Sequence, residues 1–126
     1  RDGDDVSIVT YGMMVGKAIA AATILAKEGV ECEVIDLRTL SPIDMETVIE
    51  SVENTGRLVV VDEANPRCSI ATDVSAQVAQ QAFKSLKAQI EMVTAPHTPV
   101  PFTTTLENLY IPSAEQIVVA VRKTLN

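Results

Sequence analysis

The chain has 126 residues, of which 47% are hydrophobic, 21% charged and only 3% aromatic, and its formal net charge is -7. That length suits one domain with a core of its own, filled by Ala, Val, Ile and Leu rather than by aromatic rings. The negative charge argues against nucleic acid and against docking on anionic lipid, both of which reward clustered Lys and Arg, and favours a basic partner.

Cys32 and Cys68 are the two cysteines, with no spacing for zinc, and are expected to be reduced thiols of a cytoplasmic protein. The longest apolar run, near Ala18 to Ala26, falls short of the ~20 residues needed to span a bilayer, and no charged-then-apolar leader opens the chain. The opening "RDGDD" runs almost directly into a strand and reads as a cut through a linker. The expectation is a single domain, residues 1–126, excised from a larger chain.

In chain order, "VSIVTY", Val6 to Tyr11, reads as a buried strand, and "GMMVGKAIAAATILAKEG" as a helix closed by Gly29 in a left-handed cap. "CEVIDL", Cys32 to Leu37, is a second strand. In "SPID", Ser41 is placed as N-cap and Pro42 at the first helical position, with Asp44 three residues after the cap and a helix running to about Asn54. Leu58 to Val61 form a third strand, whose continuous apolar run suits the middle of a parallel sheet. From Ser69 to about Leu86, Ile70, Val74, Val78, Ala82 and Leu86 recur every four residues, with Ala79 and Phe83 widening the stripe of an amphipathic helix. Ile90 to Val93 make a fourth strand. Thr94 to Pro112 then form a long connection stiffened by prolines, the kind that is functional more often than incidental. Ser113 caps a last helix with Glu115 and Gln116 in its first turn and Arg122 and Lys123 in its last, matching the helix dipole. Strands alternating with helices across short links imply a three-layer α/β/α sandwich.

Candidates for chemistry are few. Gly12 and Gly16 sit at a strand-to-helix turn that could hold a phosphate, but neither G-x-G-x-x-G nor a P-loop is present, and a tight turn with close helix packing explains them better. Asp62 and Glu63 end the third strand, where open α/β sheets bind ligands; they could hold a cation or a partner's arginine, or be solvated charges or a helix cap. Cys68 has no basic neighbour in sequence and reads as a small buried residue. His97, the only histidine, lacks a metal-ligand companion and suits interface contacts better than catalysis. Between Met13 and Ala26 the obviously polar positions are Lys17 and Thr23, so that helix must be covered, either by its own core or by a second subunit.

"EVIDLRTLSPIDMETVIESVENTGRLVVVDEA", extended by "NPRCSIATDVSAQVAQQAF" and "TAPHTPVPFTTTLENLYIP", resembles the C-terminal domain of the beta subunit in thiamine-diphosphate-dependent 2-oxo acid dehydrogenase complexes. The acetoin dehydrogenase branch is the most similar, with pyruvate dehydrogenase next. The resemblance implies a transketolase C-terminal-like fold, a mostly parallel mixed sheet whose first, antiparallel strand would lie just before Arg1. It implies thiamine diphosphate and magnesium in the parent enzyme but none bound by this domain, since the family's Gly-Asp-Gly and distant Asn are absent and Asp2-Gly3-Asp4 is not that motif. The parent would be an oxidoreductase passing a two-carbon or acyl unit to a lipoyl group. The partners implied are the pyrimidine-binding domain of the same beta chain, the alpha subunit, a second beta subunit and the basic binding domain of the acyltransferase component. No catalytic residue is expected here. The candidate interface residues are Glu63, Arg67, Glu91, His97, Pro99, Pro101, Phe102, Tyr110 and Asn126. The rivals are a free-standing flavodoxin-like nucleotide-binding module using Gly12 and Gly16, and a hydrolase built around His97.

Overall fold

Four short strands, β1 (Val6–Thr10), β2 (Cys32–Asp36), β3 (Leu58–Val61) and β4 (Glu91–Val93), pair in the order β2-β1-β3-β4, every pair parallel, in a computed structural model that describes residues 1–126. The register sets Ile8 beside Val34 and Val59, and Val60 beside Met92. β1 and β3 lie inside the sheet and are buried along their whole length, as expected of strands covered on both faces.

Helices α1 (Met14–Ala26) and α5 (Ala114–Leu125) cover one face, and α2 (Met45–Thr55) and α3 (Ile70–Gln81) the other. The period-two alternation of the strands divides the core accordingly. Val6, Ile8, Val59 and Val61 point toward Ala18, Ala22, Leu25, Ile117 and Val121. Val9, Leu58 and Val60 point toward Val48, Val52, Val74 and Val78. Ser7 shares this second face, where its hydroxyl meets Ser51 Oγ at 2.6 Å and Thr55 Oγ1 at 2.8 Å, so its burial leaves no orphaned polar atom. The expected three-layer α/β/α architecture is therefore present.

The sheet itself is wholly parallel rather than mixed, but Arg1 is bonded to its edge. The Arg1 amino group donates to Val34 O at 3.1 Å, and Val34 N–H donates back to Arg1 O at 2.8 Å, the two-way exchange of an antiparallel pair on the outer edge of β2.

Several local expectations hold. Gly29 adopts φ 82° after α1, and Ser113 caps α5 in a reciprocal box with Gln116. Others need correction. The cap of α2 is Asp44, not Ser41: its carboxylate accepts from both Thr47 N–H (3.1 Å) and Thr47 Oγ1 (2.7 Å), and these bonds hold its pKa below the ordinary aspartate value. Ser41 and Pro42 instead occupy a turn, with a cis bond between them, closed by a bridge from Leu40 to Ile43. α3 stops at Gln81 rather than near Leu86; Ala82 leaves helical geometry and Phe83–Ser85 form a 3₁₀ turn that points Phe83 into solvent. The connection after β4 is not wholly irregular, because Thr104–Tyr110 form a short helix, α4.

The cysteines differ. Cys32 is buried in β2 and Cys68, expected to be buried, is exposed with φ 52° ahead of α3; they form no disulfide. Burial is the main influence on the Cys32 thiol, with Arg1 opposing it and Asp5 and Glu31 adding to it, and pushes its pKa from 9.0 up to about 11. Unfolding therefore releases a proton between those values, so stability is complete below pH 9.0 and falls as pH rises toward about 11, which thermal melts across that window will show. At about pH 8 a thiol reagent is expected to label Cys68 in the native protein and to reach Cys32 only after denaturation. No helix is long and apolar enough to cross a membrane.

Candidate interaction surface at the carboxyl edge of the sheet

The segment after β4 is anchored at both ends. Ala95, buried, donates its N–H to Ala64 O at 3.1 Å, and Pro112, also buried, accepts from Lys17 Nζ at 2.7 Å through its carbonyl. Between these points Pro96, Pro99 and Pro101 restrict the backbone to extended conformations. Tyr110 OH donates to Thr98 O at 3.4 Å, tying α4 back to the strap.

The strap and α4 expose an apolar surface instead of burying it. Phe102 is 102% exposed, Leu109 79% and Val100 65%, with Leu106 also in solvent. Met13, which precedes α1 and is exposed too, lines the same groove as Val100. Five of the ten large hydrophobic residues exposed anywhere in the chain thus belong to the strap, α4 and the start of α1, which makes this end of the molecule the candidate interaction surface.

A groove of about 480 Å³ opens between the strap and the strand ends, walled by Tyr11, Met13, Val100, Tyr110 and Ile111. Its remaining polar lining consists of two carboxylates, Glu63 and Glu107. Gly12, at φ 57°, makes the turn from β1 into α1 that brings Tyr11 and Met13 to the same rim. Gly16 does not serve close packing, because a Cβ there would meet nothing within 4 Å.

Beneath the groove Asp62 acts as a structural hub. Its buried carboxylate accepts from Tyr11 OH (2.8 Å), Ala64 N–H (2.9 Å) and Ala71 N–H (3.3 Å), joining the end of β1, the loop after β3 and the first turn of α3. Of the readings open for Asp62, the helix-capping one describes it; Glu63 is the exposed member of the pair. Burial first, then the hydrogen bond to Asp62 and the charges of Asp62 and Glu63, raise the Tyr11 phenol above the ordinary tyrosine range. Tyr11 therefore stays protonated and spends its proton on Asp62.

The candidate interface residues fall in three places. Glu63 and Tyr110 line the groove, and His97, Pro99, Pro101 and Phe102 lie on the strap above it. Arg67 is exposed on the loop after β3, its N–H held by Asn65 Oδ1 at 3.0 Å, but it does not line the groove. Glu91 and Asn126 sit elsewhere, at the start of β4 and the end of α5, and Glu91 is already paired with Lys123 at 3.3 Å. Met13, Leu106, Glu107 and Leu109 join this surface without a sequence motif that singles them out. The spacing of Leu106, Leu109 and Tyr110 behind three threonines is the signal that could have found α4.

No three His, Cys, Asp or Glu side chains cluster as a metal site. His97 is exposed on the strap. A diphosphate does not suit this edge either: its charged lining is two carboxylates, and the nearby cation, Lys17, is committed to Pro112 O.

Residues 1–117 match the family model described as "Transketolase, C-terminal domain". The chain belongs to that family. It is 75% identical over 125 residues to the acetoin:2,6-dichlorophenolindophenol oxidoreductase subunit beta of Cupriavidus necator, a match covering 99% of this chain and 37% of the relative. It is 44% identical over 125 residues to the pyruvate dehydrogenase E1 component subunit beta of Bacillus subtilis, covering 99% of this chain and 38% of that one. Among solved structures, one described as "Split gene transketolase, inactive beta4 tetramer" superposes with a TM-score of 0.85 at 30% identity, over 99% of this chain and 39% of its own. A Pichia stipitis transketolase mutant, at TM-score 0.60 and 17% identity over 99% of this chain and 17% of its own, shares the fold. The chain spans just over a third of the length of the curated relatives it matches. As a transketolase C-terminal domain, it places its exposed apolar surface at the carboxyl ends of the strands, where α/β sheets carry their sites.

Proposed function

We propose that residues 1–126 are the carboxyl-terminal domain of the beta subunit of a thiamine-diphosphate-dependent dehydrogenase component, of acetoin or pyruvate type, and that their task is subunit assembly. The observation that carries this reading is the carboxyl edge itself: a braced, exposed apolar surface, with Glu63 and Glu107 as its charged lining, at the position where a self-sufficient α/β enzyme would keep its site. The names of the relatives supply the enzyme type.

Transfer of a two-carbon or acyl unit to a lipoyl group, with thiamine diphosphate and magnesium, then belongs to parts of the parent enzyme outside these residues. The strap region faces the pyrimidine-binding domain of the same chain, the alpha subunit or a second beta subunit. The Arg1–Val34 exchange supports an antiparallel strand continuing upstream along β2. The exposed positions Ile19 and Ile24 on α1, whose other face is buried by α5 and the sheet, are a further surface for a second subunit. Glu91 and Asn126 remain the proposed contacts for the acyltransferase's binding domain. The setting is cytoplasmic.

A free-standing flavodoxin-like module is not favoured, because Glu63 and Glu107 would repel a nucleotide's phosphates at the edge such a module uses. Titration calorimetry of the 126-residue chain with thiamine diphosphate and magnesium, flavin mononucleotide and adenine nucleotides is expected to show no saturable binding. A tight complex with any of them would overturn the assembly reading.

A further inference from the structure

We propose that the groove between the strap and the strand ends receives an arginine of a companion polypeptide, its guanidinium held between Glu63 and Glu107 and its neighbouring apolar side chain seated against Met13, Val100 and Tyr110. The inference rests on the reading of this edge as an assembly surface and names what that surface binds.

The argument starts from charge. The groove's lining is apolar apart from Glu63 and Glu107, and it contains no basic side chain. Neither carboxylate is neutralised within the chain, whose four ion pairs are Arg1–Glu31, Arg38–Asp36, Arg122–Glu28 and Lys123–Glu91. A purely apolar partner laid over the groove would strip water from two unpaired anions, which is strongly unfavourable. An incoming phosphate or carboxylate would meet like charge. A partner that brings a cation satisfies both carboxylates and lets the exposed apolar side chains of the lining, Met13 and Val100, be buried around it.

Arginine suits the site better than lysine. Tyr11 and Tyr110 both line the groove, and both hydroxyls are engaged, on Asp62 Oδ1 at 2.8 Å and Thr98 O at 3.4 Å. With their donors spent inside the domain, the tyrosines offer ring surface. A planar guanidinium can stack on such a surface while its fork of N–H donors reaches carboxylates on two sides; an ammonium does neither as well. Arginine and tyrosine are also enriched where interfaces concentrate their binding energy.

The test uses the complete beta-type chain and its companion alpha chain, with assembly followed by analytical ultracentrifugation over a salt series. E63Q/E107Q is expected to raise the dissociation constant about tenfold or more at low salt and to flatten its salt dependence, while Phe102→Ala weakens assembly without changing that slope. Circular dichroism melts check that each variant folds. If E63Q/E107Q assembles as tightly as the parent with the same salt slope while Phe102→Ala still weakens assembly, the occupant is not a cation, and the proposal falls with the assembly surface intact. If Phe102→Ala also assembles normally, the assembly reading falls and the proposal with it.

Discussion

Asp62→Ala is expected to lower the stability of the domain by about 3 kcal/mol, because a buried carboxylate with several partners is removed and its donors are left unpaired. The loss has three parts in space. Tyr11 OH, Ala64 N–H and Ala71 N–H all end on this one side chain, which is 1% exposed. Water cannot replace the acceptor without opening the junction between β1, the loop after β3 and the start of α3. A melting temperature lower by roughly 10 °C is the expected readout for a domain of this size. Asp62→Asn, which keeps one acceptor oxygen, is expected to lose less. The consequence for the site is direct: Tyr11 and Glu63 flank Asp62, so loosening the hub loosens one wall of the groove. A change below about 0.5 kcal/mol, the range of ordinary surface substitutions, would show that the hub does not position that wall.

The strands were legible because each obeys a local rule that tertiary structure did not override. Leu58–Val61 is apolar at every position because both faces of β3 are covered, and its observed limits coincide with those expected. Gly29 and Ser113 were readable as a left-handed stop and a capping residue, each set by its own backbone and the next turn. The misreadings arose where two local signals competed. Ser41-Pro42 and Asp44 both offer a helix start, and only the carboxylate of Asp44 reaches Thr47 twice. Phe83 fits the four-residue stripe of α3, but the helix ends two residues earlier, so the same periodicity continues over a chain that has left the helix.

The site was partly legible, for a different reason. Proline density marks the strap around the single histidine, and His97 is exposed there. The groove depends on residues far apart in sequence, Met13 and Tyr11 from the first strand-helix turn and Val100 and Glu107 from the last connection. No sequence window contains both. Asp62 illustrates the limit well: "DE" at a strand end admits a cation site, a solvated pair or a cap, and only the positions of Tyr11 and Ala71 decide among them.

The fully exposed Phe102 separates folding from assembly. Its ring touches little within the domain, so Phe102→Ala should leave the melting temperature of the isolated chain within the small range usual for surface changes. In an assembled enzyme the same ring would be an anchor, and truncating an aromatic anchor typically weakens an interface by about 2 kcal/mol, or roughly thirtyfold in dissociation constant. Preordering by Pro99 and Pro101 adds to that effect, since a stiff strap loses little entropy on docking. The decisive measurement is sedimentation velocity of the complete beta-type chain with its companion alpha chain, parent against Phe102→Ala, with thermal melts alongside. The account predicts an unchanged melt and a dissociation constant raised roughly thirtyfold. An unchanged melt together with an unchanged dissociation constant would contradict it.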